Sequence, residues 1–239
     1  MHKVSNIMTY FRKELGAIFR DREIVNWAYL SIDHFLGYNR ADCIVYANEC
    51  IDIEVVDKLK DVVDDLKSNK PIQYILGKTD FYGLQIVVNS DVLIPRPETE
   101  ELVDWALEED FNSALDIGTG SGCIAIALAK HSDAIISAID ISKYVLRLAR
   151  ENMMLNNVNI NLIQQDIFEN RSIDKVDLII SNPPYVLDSE KRYMQKNILD
   201  FEPHIALFVS DDDPLVFYKH IINMATESLF SGGRLFFEI

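Results

Sequence analysis

Cysteine is scarce in this chain of 239 residues, with Cys43, Cys50 and Cys123 the only three. Their odd number and the absence of Cys-x-x-Cys spacing argue against a disulfide framework or a zinc cluster, and a reducing compartment is expected. With no His or Asn signature beside them, the thiols read as small buried hydrophobes. Long apolar runs are also missing: no stretch approaches the ~20 residues that a bilayer requires. The first twenty residues scatter Lys3, Arg12, Lys13 and Glu14 among hydrophobes, unlike a secretory leader. A cytoplasmic protein without a membrane partner is therefore expected. Positive charge is in deficit, with 23 Lys and Arg against 38 Asp and Glu and a formal charge of −15. Such a surface repels a phosphate backbone, so no direct nucleic-acid partner is expected, and a basic protein suits it better. The five histidines are scattered, and Asp211-Asp212-Asp213 offers too few ligands for a site, so no metal is expected. What remains is ordinary globular usage, 49% hydrophobic and 26% charged, which excludes disorder and collagen-like repeats.

The chain changes character along its length. Residues 1 to about 70 carry apolar side chains at helical spacing, as in Ile7, Tyr10, Phe11, Leu15 and again in Val55, Val56, Leu59, Val62, Val63, Leu66. Acids and lysines between them complete the pattern of a small helical bundle, which Ser68-Asn69-Lys70-Pro71 brings to a stop. Aromatic and β-branched residues around Gly83, over 79–88, predict a hairpin, and Leu93-Ile94-Pro95-Arg96-Pro97 an extended connector. A helix is predicted over 98–110. Beyond it, strands at 114–117, 135–140, 161–163, 176–181 and 234–239 alternate with helices at 123–131, 143–155 and 215–230. Strands separated by helices of this length pair in parallel, so the fold class is α/β with a doubly wound, mostly parallel, Rossmann-like sheet. The expected organisation is a helical domain over 1–72, a hairpin and connector over 73–97, and the sheet domain over 98–239.

Three features place chemistry on that sheet. Gly118-Thr119-Gly120-Ser121-Gly122 follows the first strand and opens a helix, where glycines allow a sharp turn and close approach of a ligand. Its spacing is G-x-G-x-G, and no Lys-Ser or Lys-Thr follows to make a phosphate loop. Asp140 ends the second strand and can accept from vicinal ribose hydroxyls, while Asp166, followed by Ile167, can accept from an adenine amino group. Either acid alone reads better as a helix cap; two at consecutive strand ends, beside a glycine loop, point to a nucleoside. The third feature is Asn182-Pro183-Pro184-Tyr185, after the continuous strand predicted over 176–181. Two prolines remove two backbone donors and leave a stiff array of acceptors, suited to a substrate –NH2 group, on which Tyr185 can stack. Holding both N–H bonds of a planar amide or amine turns its lone pair toward an electrophile and stabilises developing positive charge.

With these motifs the chain resembles the class I S-adenosylmethionine-dependent methyltransferases that modify amino groups, and among them the release-factor glutamine methyltransferases, the HemK/PrmC family. The resemblance is carried by Leu93-Ile94-Pro95-Arg96-Pro97-Glu98-Thr99-Glu100, the glycine loop, Ser181-Asn182-Pro183-Pro184-Tyr185 and Phe201-Glu202-Pro203. It implies transfer of a methyl group from S-adenosylmethionine to the side-chain amide nitrogen of the glutamine in the Gly-Gly-Gln loop of class I peptide chain release factors, leaving S-adenosylhomocysteine. On matching positions, Gly118, Thr119, Gly120, Ser121 and Gly122 would hold the methionine part of the cofactor, Asp140 the ribose, and Asp166 and Ile167 the adenine. Phe81, Arg96, Pro97, Glu98 and Thr99 would close that pocket. Asn182, beside the cofactor, together with Pro183, Pro184 and Tyr185, would grip the glutamine. The helical domain would dock the release factor, and a monomer is expected. Family members add two strands after the fifth, one of them antiparallel, so the resemblance also implies a sheet here without its C-terminal strands and with an open edge.

Asn-Pro-Pro-Tyr is shared with amino methyltransferases acting on adenine or cytosine, which would need a basic strand-binding surface that a charge of −15 does not provide. A binding domain without catalysis is a further reading, and a nicotinamide dehydrogenase has no use for the double proline. Seven acids and no base lie within 98–110. They read as a solvated helix face, or as a patch that steers a basic partner.

Overall fold

The computed structural model describes residues 2–169 and 173–239 and divides into two compact units, Met1–Leu76 and Gly77–Ile239. The first is helical: α1 (Val4–Leu15), α2 (Asp21–Leu36), α3 (Arg40–Val45), α4 (Ile53–Lys67) and α5 (Ile72–Leu76). Ile7, Phe11 and Leu15 from α1, Ile24, Ala28 and Ile32 from α2, and Leu59, Val62, Val63 and Leu66 from α4 meet in one buried cluster. Each large apolar side chain so buried contributes about 1.5–3 kcal/mol over exposure, so these three stripes carry the unit. The short α3 buries no residue and depends on its cap. The Asn39 side chain accepts from the Ala41 and Asp42 amides, and Asp42 accepts from the Asn39 amide in return. The helix stop falls where the sequence puts it, after Lys67, with Asn69 at φ 66°. The turn α5 that starts directly beyond Pro71 was not anticipated. No described helix is long and apolar enough to cross a membrane.

The second unit opens with a hairpin of β1 (Lys78–Phe81) and β2 (Leu84–Val87). Its two-residue turn holds Tyr82 at φ 51° and Gly83 at φ 72°, the doubly left-handed turn whose twist matches that of paired strands. Then follow α6 (Pro97–Leu107), β3 (Ser113–Ile117), α7 (Cys123–His131), β4 (Ile135–Asp140), α8 (Lys143–Asn156), β5 (Asn161–Gln164), β6 (Val176–Ser181), β7 (Val186–Leu187), α9 (Lys196–Phe201), β8 (Phe208–Val209), α10 (Val216–Ser228) and β9 (Leu229–Phe237). The main sheet has the order β5-β4-β3-β6-β9, with every pairing parallel; β7 and β8 form a separate small parallel pair.

Two predicted boundaries move for identifiable reasons. The helix predicted over 98–110 starts one residue earlier, because Pro97 occupies the first helical position, where a missing N–H costs nothing, and it ends at Leu107. The last strand starts at Leu229, which pairs with Val176, before an irregularity after which Arg234 pairs with Leu178. The reading of all three thiols as buried also needs correction: Cys123 is buried and Cys43 partly so, whereas Cys50 is exposed.

Pairing register aligns the strand ends. Asp140 pairs with Gln164, Ile117 with both Ile139 and Ser181, and Ser181 with Phe237. Gln164, Asp140, Gly118, Asn182 and Glu238 therefore form one row across the carboxyl edge of the sheet. The chain reverses its direction of winding between β3 and β6, so Gly118 and Asn182 flank the switch point where open α/β sheets bind ligands.

Candidate active site

The glycine loop leaves β3 by a sharp turn. The amides of Gly118 and Thr119 both donate to the Ile139 carbonyl, each at 3.0 Å. Gly118 and Gly120 have φ values of 72° and 55°, and a Cβ built on either would meet nothing within 4 Å. Backbone geometry, not crowding by the protein, requires glycine there, and the space beside it is open to a ligand. Gly122 differs: a Cβ there would lie 3.2 Å from both Ala149 Cβ and Ile126 Cδ1, so it lets α7 and α8 approach.

Beneath the loop lies Asp116, fully buried. Its Oδ2 accepts from the Thr119 hydroxyl at 2.6 Å, and among the described residues Oδ1 has no hydrogen-bond partner of normal geometry. Burial pushes this carboxyl up to about 7, against the Thr119 hydroxyl and, more weakly, the Ala125 amide. A buried acid with an unmet oxygen next to an open glycine cradle suits a cationic ligand portion such as the ammonium group of an amino acid.

Asp140 presents its carboxylate beside the loop, its Oδ2 accepting from the Gly120 amide at 3.1 Å and Oδ1 from the Ser142 amide at 2.9 Å. Each oxygen keeps a second acceptor position. The cap of α8 is Ser142, whose Oγ accepts from the Val145 amide, so the helix-cap explanation of Asp140 falls away. Burial holds the Asp140 carboxyl above its ordinary range. Asp166 is half-buried beyond the end of β5, accepting from the Phe168 amide at 2.9 Å, and begins a turn instead of a helix. Ile167 packs partly into the core between sheet and α10.

On the other side of the switch point, Ser181 Oγ donates to the Ile117 carbonyl at 2.7 Å, clamping β6 to β3 just before Asn182. Pro183 is buried, Asn182 and Pro184 are half-buried, and Tyr185 is exposed. Partial burial and the nearby Glu238 charge raise the Tyr185 hydroxyl pKa. Asn182 Nδ2 lies 3.4 Å from Thr99 Oγ1, which in turn donates to Glu238 Oε2 at 2.6 Å.

The connector residues divide. Arg96 bonds Glu202, Thr99 is buried against Asn182 and Glu238, and Glu98 is exposed at the start of α6. Phe81 is only 1% exposed and packs inside the unit. Its neighbour Tyr82 ties the hairpin to α6, the amide donating to Glu100 Oε1 at 2.8 Å and the hydroxyl to Asp104 Oδ1 at 2.5 Å. The acidic run is thus not a purely solvated face: Glu100 and Asp104 hold the hairpin, and Glu109 pairs with Arg234.

Two positions that border the candidate site escaped the sequence reading. Glu238 offers no motif of its own, although it extends the row of strand ends. Asn152, mid-helix in α8 and fully buried, accepts from the Val87 amide and donates to the carbonyls of Val87 and Ser121, joining hairpin to glycine loop. A hollow of about 490 Å³ between α10 and β9, lined in part by Ile222 and Leu235, contains none of these residues.

A doubly wound parallel sheet with a glycine cradle and an acid at the next strand end fits the class I S-adenosylmethionine-dependent methyltransferases, and the residues present fit that cofactor. Residues 98–200 match the methyltransferase small domain model and residues 8–77 the PrmC N-terminal domain model. Release factor glutamine methyltransferase of Flavobacterium psychrophilum is 43% identical over 99% of this chain and 86% of its own length. Those of Bacteroides thetaiotaomicron and Streptococcus pneumoniae are 41% and 40% identical over 99% of this chain, covering 87% and 85% of their own lengths. The chain belongs to the release factor glutamine methyltransferase family.

Proposed function

We propose that this chain methylates the side-chain amide nitrogen of the glutamine in the Gly-Gly-Gln loop of class I peptide chain release factors, acting in the cytoplasm as a monomer. The observation that carries the reading is the stiff acceptor segment Asn182-Pro183-Pro184-Tyr185, held at the switch point directly beside the glycine loop.

S-adenosylmethionine supplies a methyl group on positively charged sulfur, which keeps the electron pair of the broken bond. Gly118 to Gly122 would cradle its amino-acid portion, Asp140 accept from its ribose, and Asp166 and Ile167 border its adenine. Asn182 Oδ1 and the Pro183 carbonyl would accept the two N–H bonds of the substrate amide, turning the nitrogen lone pair toward the methyl carbon. Tyr185 would stack on the amide plane. The same acceptors stabilise charge as the new N–C bond forms, and the spent amide proton passes to solvent, so no general base is assigned. Positioning of this kind is worth on the order of 7–11 kcal/mol in well-oriented systems. The helical unit Met1–Leu76 would dock the release factor.

The test is label transfer from S-adenosylmethionine to a class I release factor, to its Gln→Ala variant in the Gly-Gly-Gln loop, and to adenine-containing DNA. Label on the wild-type factor alone supports the reading. Label on DNA contradicts it in favour of a nucleic-acid amino methyltransferase.

A further inference from the structure

Asn182 can hold a substrate amide only if its own amide faces one way. Its oxygen must point to the substrate and its nitrogen away, yet nothing in Asn-Pro-Pro-Tyr itself decides between the two flips. The surroundings do. Thr99 and Glu238 sit on the side of Asn182 away from the glycine loop, one at the start of α6 and the other in the row of strand ends just past β9. The Thr99 hydroxyl donates its single proton to Glu238 Oε2 at 2.6 Å, and a carboxylate has no hydrogen to return. Thr99 Oγ1 has only lone pairs left for Asn182, and the atom of Asn182 that faces them, at 3.4 Å, is Nδ2; the Glu238 carboxylate accepts from the same amide, so both neighbours call for its nitrogen on this side. Thr99 is 2% exposed, so water does not compete for this hydroxyl. The Glu238 amide donates to the Ser181 carbonyl and Tyr218 donates to the Glu238 carbonyl, which anchor the acid's backbone.

We infer that Glu238 and Thr99 form a one-way hydrogen-bond relay that fixes the flip of Asn182, so that its Oδ1 is presented to the substrate amide; both are positioning residues for methyl transfer. The inference rests on the glutamine reading above and deepens it. It also assigns a use to Thr99, which otherwise belongs only to the connector run.

The relay has a polarity that acid reverses. A protonated Glu238 can donate to Thr99, whose proton then turns to Asn182 and favours Oδ1 on that side. Burial and the Glu98 charge raise the Glu238 pKa, while Thr99, Asn182 and Arg96 lower it. Tyr185 and Tyr218 also feel its charge.

The experiment compares the full-length wild type with Thr99→Val, Thr99→Ser and Glu238→Gln. It measures kcat and the KM for cofactor and for release factor across pH, and the Asn182 side-chain NH2 signals in protein labelled with 15N-asparagine, assigned by their loss in Asn182→Ala. Thr99→Val should lower kcat by roughly 10- to 100-fold, less than the roughly 100- to 1000-fold of a directly lost charge-stabilising contact, with the cofactor KM held within about threefold; Glu238→Gln, whose amide can accept from Thr99 or turn its NH2 to it, should lower kcat less. Thr99→Ser should restore kcat to within about threefold of wild type. Wild-type kcat should fall on an acid limb that Glu238→Gln removes, and the Asn182 NH2 signals should shift along that same limb. Full kcat in Thr99→Val, an acid limb retained in Glu238→Gln, or Thr99→Ser as impaired as Thr99→Val, overturns the relay. So do Asn182 signals indifferent to Thr99→Val and to pH, a readout that stands even where the glutamine reading fails because wild type labels no release factor. If Thr99→Val or Glu238→Gln does not fold, Thr99→Ser and the wild-type titration of the Asn182 signals decide.

Discussion

Arg96 places one guanidinium nitrogen, Nη2, 2.7 Å from both carboxylate oxygens of Glu202, whose side chain is 2% exposed. The pair pins the connector before α6 to the segment after α9. Removing one partner of such a pair strands a buried charge, whereas removing both does not. Because Arg96 is itself 30% exposed, Arg96→Ala should cost about 2–3 kcal/mol in urea unfolding. The double variant Arg96→Ala, Glu202→Leu should recover part of that loss. An additive double variant would contradict the coupling.

Asp116 makes the ligand-free protein pH-sensitive. Its folded pKa of about 7 lies above the ordinary value of 3.8, so the folded state binds the proton more tightly than the unfolded state. Its contribution to stability is therefore greatest in acid and falls as pH rises from about 4 through 7. Asp116→Asn keeps the acceptor for Thr119 and removes the buried charge. At pH 8 it should stabilise the ligand-free chain by about 2–4 kcal/mol, with the gain shrinking toward pH 4. The same change should weaken S-adenosylmethionine binding by roughly tenfold, read by calorimetry. Destabilisation at pH 8 would show that Asp116 is charged and satisfied.

Asn152 is the hinge pin of the hairpin. Asn152→Ala leaves the Val87 amide and the Ser121 carbonyl without their buried partner, and should cost about 2–4 kcal/mol in urea unfolding. Unchanged stability would mean that the hairpin stands without it.

The contrast among these residues explains how far the sequence could be read. Buried parallel strands announce themselves as short apolar runs, and glycine and proline mark the loops at their ends, so the sheet, the glycine loop and the positions of Asp140 and Asn182 at the strand ends were legible. Asn152 was not, because an asparagine inside an amphipathic helix looks the same whether it faces water or a strand. Glu238 acquires its role from Thr99, 139 positions away, a separation that no local pattern encodes. The acids of α6 misled in the opposite direction: a run of like charge looked solvated, yet Glu100 and Asp104 serve Tyr82, whose hydroxyl Asp104 holds up to about 12.

Acids on and just after that helix lie outside these contacts and are available to a partner. Glu101, Glu108 and Asp110 are exposed, and reversing all three to lysine should slow association with a basic release factor by roughly tenfold at low salt. The effect should fade above about 0.15 M salt, where the screening length is ~8 Å. An association rate that does not change in stopped-flow mixing would make the patch plain surface.

The most direct test of the central claim separates chemistry from cofactor binding at one residue. Wild type and Asn182→Ala would be compared for S-adenosylmethionine affinity by calorimetry and for single-turnover methyl transfer to a class I release factor. The transfer rate of Asn182→Ala should be at least about 100-fold lower, with cofactor affinity within a few-fold of wild type. Undiminished transfer, or a loss accounted for entirely by weaker cofactor binding, would contradict that claim.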